Sequence, residues 1–493
     1  MKRYLLALLL MLSGCMVGPD YHPPETAMPS QFTEAKGAMA EGSSNNDLCQ
    51  WWKQFDDPFL NGLIEEAVQA NIDFRIAVEK IIQARAQYCV QASYLWPEID
   101  LNAVAVRSRN SQNFFSSTNT ASGTPTSGTS SILPTFQNFF EIGFDAIWEF
   151  DLFGKFRRSK RAAYDSWEAS KEDAQDVLIS VVSEVARSYV MICALQNSID
   201  LTINKIQADE EELSLTIELF EAGLTNEIQV EGMVANLESD KAALAVLQTS
   251  VKTAIYGLAV LLGRQPETLV SAFNEIRPIP IGWDKVPVGL PSDLLRRRPD
   301  IKRAERQLAA ATEQIGVAVA DLFPHVSLTG TTFSGGQLAG SGYGYESGTF
   351  HKLFKPTSRQ WSIGPAIRWD LIDFGKTYGN IAIQNSLQKQ ALLTYEQTVL
   401  HSLQDVEGAL VAYFQEEKRK NCFSDQVDAF KRSLQLAEDL YTAGLSNEQQ
   451  VLDARKTLLD AQNSLIGSQQ ALTSDLIALY KALGGNWECS YTP

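Results

Sequence analysis

The sequence is short of the residues and motifs that carry most enzyme chemistry. Its four histidines, His22, His325, His351 and His401, are scattered, and no HExxH metal helix can be assembled from them. There is no GxSxG elbow, no Walker A loop and no dinucleotide fingerprint. Gly335-Gly336 and the Gly340 to Gly344 stretch lie between strand signals, where they read as flexible loop rather than a phosphate cradle. None of the six cysteines forms a CxxC pair, so neither a zinc site nor a dense disulfide framework is expected. Cys49 and Cys489 lie near opposite ends of the chain, and spacing alone does not decide whether they pair. Positive charge is also scarce: 42 Lys and Arg stand against 59 Asp and Glu, a net −17 that makes a poor nucleic-acid binder. Beyond the N-terminus no run of eighteen consecutive apolar residues occurs, so a helical membrane span is not expected. No catalytic residue, metal site or cofactor emerges.

What is present begins with a leader. Lys2 and Arg3 precede the apolar run Leu5 to Leu12, which closes on Leu12-Ser13-Gly14-Cys15. Such a run is too short for a bilayer and has the layout of a secretory signal peptide, with the cysteine placed as in a bacterial lipobox. Residues 1–14 are therefore the predicted signal peptide, with Cys15 as the lipid attachment site and mature N-terminus. Stable anchoring needs more than one acyl chain, as bacterial lipoproteins have. Met16 follows the cysteine where an aspartate would favour inner-membrane retention, so outer-membrane lipid is the expected partner.

The chain then repeats itself once. Phe220-Glu221-Ala222-Gly223-Leu224-Thr225-Asn226-Glu227 returns as Tyr441-Thr442-Ala443-Gly444-Leu445-Ser446-Asn447-Glu448. Trp148-Glu149-Phe150 with Phe153-Gly154-Lys155 returns as Trp369-Asp370-Leu371 with Phe374-Gly375-Lys376, and Leu95-Trp96-Pro97 as Leu322-Phe323-Pro324. This divides the chain into an N-terminal segment at 15–57, a first repeat at 58–263, a linker at 264–293, a second repeat at 294–485 and a tail at 486–493.

Within each copy the apolar period switches between two and about 3.5. Residues 140–150 alternate strictly, as do 361–371, and each is about the length of a membrane-spanning strand. Less regular strands are predicted at about 97–109 and 324–334, with the Ser/Thr/Gly-rich stretch 110–138 as an exposed loop. Lys155 to Ala222 contains no proline or glycine, and its apolar seats run from Leu178, Val181 and Val185 to Ile203, Ile217 and Phe220. That spacing predicts a supercoiled rod of roughly 100 Å, with a second at Lys376 to Ala443. Shorter helices are predicted at Pro58 to Ser93 and Asn226 to Leu262, giving two long and four shorter helices in all.

Four strands cannot span lipid as an open sheet, because every backbone group there must be paired. Two chains would close an eight-stranded barrel filled by side chains, whereas three close twelve strands around a lumen. The predicted fold is thus a mixed α and β membrane protein. A trimeric 12-stranded β-barrel, four strands per chain, continues into a long periplasmic α-helical coiled-coil barrel.

Gly18-Pro19-Asp20-Tyr21, Trp51-Trp52 with Phe55 and Asp57-Pro58, the stretch Leu294 to Ile301, Gln314-Ile315-Gly316 and Leu483-Gly484-Gly485 together resemble the TolC-like outer membrane factors. The resemblance is to the lipoprotein branch serving resistance-nodulation-division efflux systems, and it covers essentially the whole mature chain. It implies a passive homotrimeric exit duct whose partners are a periplasmic adaptor and an inner-membrane efflux transporter. It further implies that the adaptor grips Gly223, Leu224, Thr225, Gly444, Leu445 and Ser446. A periplasmic gate would form at Gln450 and Asp453, with Tyr441 and Gln229 as candidate partners across the helix pairs. Gln450 departs from the family, which often has a second acid there. A duct for protein secretion of the type I kind would share this architecture. A structural periplasmic coiled-coil lipoprotein would share the anchor and heptads without needing the strands. Scarce His and Met argue weakly against a dedicated copper route.

Overall fold

The computed structural model describes residues 16–26, 28–33, 50–109, 135–282, 291–330 and 341–485. The leader, Cys15, Cys49, Cys489, most of the predicted 110–138 loop, part of the linker and the C-terminal tail lie outside these residues. In chain order the helices are α1 (Pro58–Ala70), α2 (Ile72–Ser93), α3 (Lys155–Glu221), α4 (Glu227–Leu261), α5 (Glu267–Val270), α6 (Pro291–Arg297), α7 (Pro299–Ala320), α8 (Lys376–Thr442) and α9 (Glu448–Ala482). The strands are β1 (Glu98–Arg109), β2 (Phe136–Phe150), β3 (His325–Gly330), β4 (Ser341–Ser347), β5 (Arg359–Ser362) and β6 (Gly364–Arg368).

The elements recur in pairs. Both α3 and α8 have 67 residues, close to the predicted rods, and both α4 and α9 have 35. The helix expected over Pro58 to Ser93 is instead two, broken at Asn71, whose backbone leaves the helical region at ψ 130°. The Asn71 side chain serves both sides of the break, accepting from the Phe74 amide at 2.9 Å and donating to the Leu261 carbonyl at 2.8 Å. The second copy breaks at the matching place between α6 and α7, where Arg298 donates to the Ala482 carbonyl at 3.0 Å. In both copies a polar side chain at the break thus satisfies a carbonyl left open at the end of the last helix of that copy, α4 or α9.

Six strand segments form four antiparallel lanes. β1 pairs along its length with β2, from Glu98 opposite Ile147 to Arg109 opposite Phe136. β3 and β4 lie end to end against β2, with Gly330 facing Ala146 and Gly342 facing Asp145. β5 and β6 continue one another in the same way, parted only at Ile363. The strand predicted over 361–371 is therefore interrupted and ends at Arg368. Pro365, which cannot donate to a ladder, is tolerated because its lane is an edge of the sheet. The first-copy strand begins at Phe136, inside the stretch expected to be loop. Equivalent tryptophans tie the lanes to the preceding turns: Trp148 Nε1 donates to the Leu95 carbonyl and Trp369 Nε1 to that of Leu322, both at 3.1 Å.

Two compact units cut across the repeats. One takes the chain up to His22 with Ala84–Trp167 and Gln307–Ala391, and so holds all the strands. The other takes Pro23–Gln83, Glu168–Arg306 and everything from Leu392 onward. In this second unit Trp51 stacks on Tyr480 at 5.5 Å, Asp57 caps α1 through the Phe59 and Leu60 amides, and the Tyr189 hydroxyl donates to the other Asp57 oxygen. Burial and that bond push the Tyr189 pKa well up. The expectation of no membrane-length apolar helix needs correction, since α3 and α4 each contain an 18-residue stretch that passes on length and composition. That of α3 is 67 % buried and supplies core residues such as Val185, Tyr189 and Ile192. That of α4 is only 17 % buried, and Val246 and Val260 on it are exposed.

Candidate docking tips and periplasmic gate

Each long helix ends in the same reversal. Gly223 and Gly444 take φ of +71° and +70°, a left-handed conformation that costs glycine little. The following amides close the helix ends, Leu224 N to the Leu219 carbonyl at 2.8 Å and Leu445 N to that of Leu440 at 2.9 Å. This is the six-to-one pattern of a Schellman cap. Asn226 and Asn447 then cap α4 and α9 by accepting from the Gln229 and Gln450 amides, each at 3.2 Å. The turn leaves Leu224 and Leu445 about as exposed as a leucine can be in a folded chain, at 75 % and 76 %. A Cβ added at either glycine would meet nothing within 4 Å, so these positions are open to contact from outside. Thr225 and Ser446 sit in the same turns, and the Ser446 hydroxyl donates to the Gln450 side chain.

Gln450 and Asp453 both project from the exposed side of the first turns of α9, three residues apart and hence on one face. Neither is joined to Gln229 or Tyr441 by a described bond. The Tyr441 hydroxyl donates to Glu448 at 3.4 Å, and Asp453 accepts from Gln449 at 3.5 Å. Gln449 itself reaches across to Glu212 on α3.

That contact belongs to a group of charges that periodicity does not reveal. In the distal half of α3 the apolar seats face outward, with Ile203 and Phe220 at 49 % and 43 % exposure, while Asp209 and Glu212 are buried. Lys456 on α9 lies 2.9 Å from Asp209, and Lys205 lies 3.0 Å from Asp460 and 3.4 Å from Asp240 on α4. Burial raises the Asp240 pKa, and the neighbouring Asp209 carboxyl raises it further. Burial pulls Lys205 down, but its bonds to Asp460 and Asp240 outweigh this and leave it raised. Three of the helices behind the tips, α3, α4 and α9, are therefore bridged by ion pairs, while α8 and α9 pack through Val427, Leu458 and Ala461.

What organises the N-terminal strap is a buried arginine that no motif marks. Arg158, only 1 % exposed, donates to Glu313 and Asp20 at 2.9 Å and to the Val17 and Gly18 carbonyls at 3.2 Å. Gly18, at φ +92°, lies so close to Gly316 that a Cβ would come within 2.5 Å of its Cα. The Gly-Pro-Asp-Tyr and Gln-Ile-Gly motifs are thus two sides of one contact. Gly484, at φ +77°, packs against Arg298 in a similar way, and Arg298 pairs with Asp300 and Asp405 at 2.6 and 3.1 Å.

The family described as outer membrane efflux protein matches residues 63–264 and 290–485. The solvent efflux pump outer membrane protein SrpC of Pseudomonas putida is 30 % identical, over 98 % of this chain and 97 % of its own length. Nodulation protein T of Rhizobium leguminosarum bv. viciae is 28 % identical, over 97 % of this chain and 92 % of its own length. Among solved structures, the outer-membrane channel OprN superposes with a TM-score of 0.82 at 30 % identity, covering 96 % of this chain and 100 % of that one.

Proposed function

Because the chain belongs to the outer membrane efflux protein family, we propose that it is the outer-membrane exit duct of a tripartite export pump. In this reading three copies close a 12-stranded barrel, lipid on Cys15 anchors each copy, and an inner-membrane transporter expels small molecules through a periplasmic adaptor into the duct. Conduction in this reading is passive, as the family resemblance implies, with the inner-membrane transporter supplying the energy.

The observation that carries this reading is the four-lane sheet. Its two outer lanes, β1 and β5/β6, each have one ladder edge unpaired among the described residues. Phe136 and Phe144 of β2 are 56 % and 54 % exposed while Glu141 between them is 6 % exposed, the reverse of a strand from a soluble core. Apolar strands with open edges require both a lipid surface and further copies. The outward apolar seats of α3 and α4 are suited to contact between copies below the membrane.

The tips give the test. Gly223→Trp and Gly444→Trp put bulk on the surface proposed to meet the adaptor without touching the strands. We expect such variants to reach the outer membrane as trimers yet fail to restore export in a deletion strain, measured by a susceptibility panel with in vivo crosslinking from Leu224 and Leu445. Normal export by these trimers would place docking elsewhere.

A further inference from the structure

The start of α3 is the most basic stretch of an acidic chain, with Lys155, Arg157, Arg158, Lys160 and Arg161 within seven residues. Three have acidic partners: Lys155 with Asp321 at 2.7 Å, Arg157 with Asp151 at 3.1 Å, and Arg158 with Glu313 and Asp20. Among the described residues no acid is paired with Lys160 or Arg161. Both line a cavity of about 430 Å³ together with Arg157, Tyr88, Tyr164 and Met16.

Three features say what this cavity is shaped to hold. First, its wall is aromatic: Tyr88 lies 5.9 Å from both Tyr164 and Trp167, and the Lys160 ammonium sits 5.6 Å over the Tyr88 ring. Tyrosine and tryptophan with lysine and arginine are the residues that settle at headgroup depth. Second, Leu95 also lines it, and the Leu95 carbonyl is tied to Trp148 on β2, so the cavity opens at the helix-side ends of the strands. Third, Met16 is fixed there. The Val17 amide donates to the Phe153 carbonyl at 3.1 Å, and Met16 occupies the space where a Cβ on Gly154 would sit. The residue covalently next to Met16 is Cys15.

We propose that this cavity binds the phosphate headgroup of an anionic phospholipid from the same leaflet that takes up the lipid on Cys15. Lys160 and Arg161 neutralise the phosphate, Arg157 lends one face of its guanidinium while held by Asp151, and the tyrosines flank the glycerol. This rests on the reading that the four lanes cross the outer membrane.

The test uses the full-length lipoprotein recovered from outer membranes, exchanged into nanodiscs of phosphatidylethanolamine with or without phosphatidylglycerol, and examined by native mass spectrometry. The parent is expected to keep phosphatidylglycerol in preference to phosphatidylethanolamine, one per chain. Lys160→Gln with Arg161→Gln should weaken that retention by roughly tenfold or more, from the usual contribution of each cation at an anionic surface. Equal retention of the two lipids by the parent, or unchanged retention by the variant, overturns the proposal. So does a variant that falls to monomers, because its cations would then belong to a subunit contact. Complete displacement by millimolar inorganic phosphate would mark a free-phosphate site instead. Increased phosphatidylglycerol on Cys15→Ser would mean that the anchor itself fills the cavity. Absence of the protein from the outer-membrane fraction counts against the channel reading, whereas its presence there without bound phosphatidylglycerol counts against the cavity alone.

Discussion

Arg158 is the side chain on which the strap after the anchor depends. It is one of the largest fully buried side chains, and all of its described bonds run to Val17, Gly18, Asp20 and Glu313. Removing it leaves Glu313, itself 7 % exposed, as a buried charge without its cation. Breaking one side of such a pair costs about 3–5 kcal/mol. Arg158→Ala should therefore lower the melting temperature of purified protein and expose residues 16–22 to limited proteolysis. Glu313→Gln with Arg158→Met, which removes both charges, should recover much of the stability. If the single variant melts and digests like the parent, the strap is held by something else. The glycines give the reason this contact is so exacting. Gly316 has Arg158 Nε within 2.8 Å of where a Cβ would lie, and Gly18 has Gly316 backbone at 2.5 Å, so neither position has room for alanine. The motifs were visible in the sequence, but their partner was not, because a lone arginine in a basic run looks like a solvated face until Glu313 is placed beside it.

At the scale of elements, the reversals and the long helices were legible because they rest on local signals. Gly223 and Gly444 with Asn226 and Asn447 mark stop and start chemistry that needs nothing from the rest of the fold. The breaks at Asn71 and Arg298 were not legible. Asparagine or arginine inside an apolar period looks like an exposed helical residue, and only the carbonyls of Leu261 and Ala482, far along the chain, make a break worth its lost helical bonds. The charges at Lys205, Asp209, Glu212, Asp240, Lys456 and Asp460 escaped for the same reason, since pairing across three helices has no sequence period. They make the packing behind the tips depend on pH. The Asp240 carboxyl has a folded pKa above its ordinary 3.8, through burial and then through the neighbouring Asp209 carboxyl, so the folded form holds the proton to higher pH than the unfolded form does. The stability linked to this group is full below about 3.8 and is lost as pH rises through the raised folded value. Relative to Asp240→Asn, which cannot titrate, the parent should gain helical melting temperature as pH is lowered from neutral toward 3.8. Parallel pH profiles of parent and variant, followed by far-ultraviolet circular dichroism, would show that Asp240 is not linked to folding.

For the whole molecule, the decisive question is where an assembled duct narrows. Asp453 is exposed on the first turns of α9, with Gln450 on the same face, while the intervening Leu452 is 7 % exposed and turned into the chain. The helix therefore divides its residues between packing and an outward polar pair just beyond the reversal at Gly444. Within one chain the pair is lightly held: the Asp453 carboxylate accepts only from Gln449, at 3.5 Å, among its described bonds, and Gln450 is engaged by Ser446. In a trimer each Asp453 recurs around the axis, and like charges brought toward one point attract cations and repel anions. With an amide at 450, a single carboxylate ring would set that preference. Asp453→Asn removes the charge with little change of shape, so in planar bilayers it should shift the permeability ratio toward anions without a large change in conductance. Gln450→Ala with Asp453→Ala also removes the bulk and should raise the conductance of the channel. The two measurements separate electrostatic selection from steric closure. If both variants match the parent in conductance and in ion preference, Gln450 and Asp453 are ordinary solvated positions, and the constriction is formed by other residues of the helical barrel.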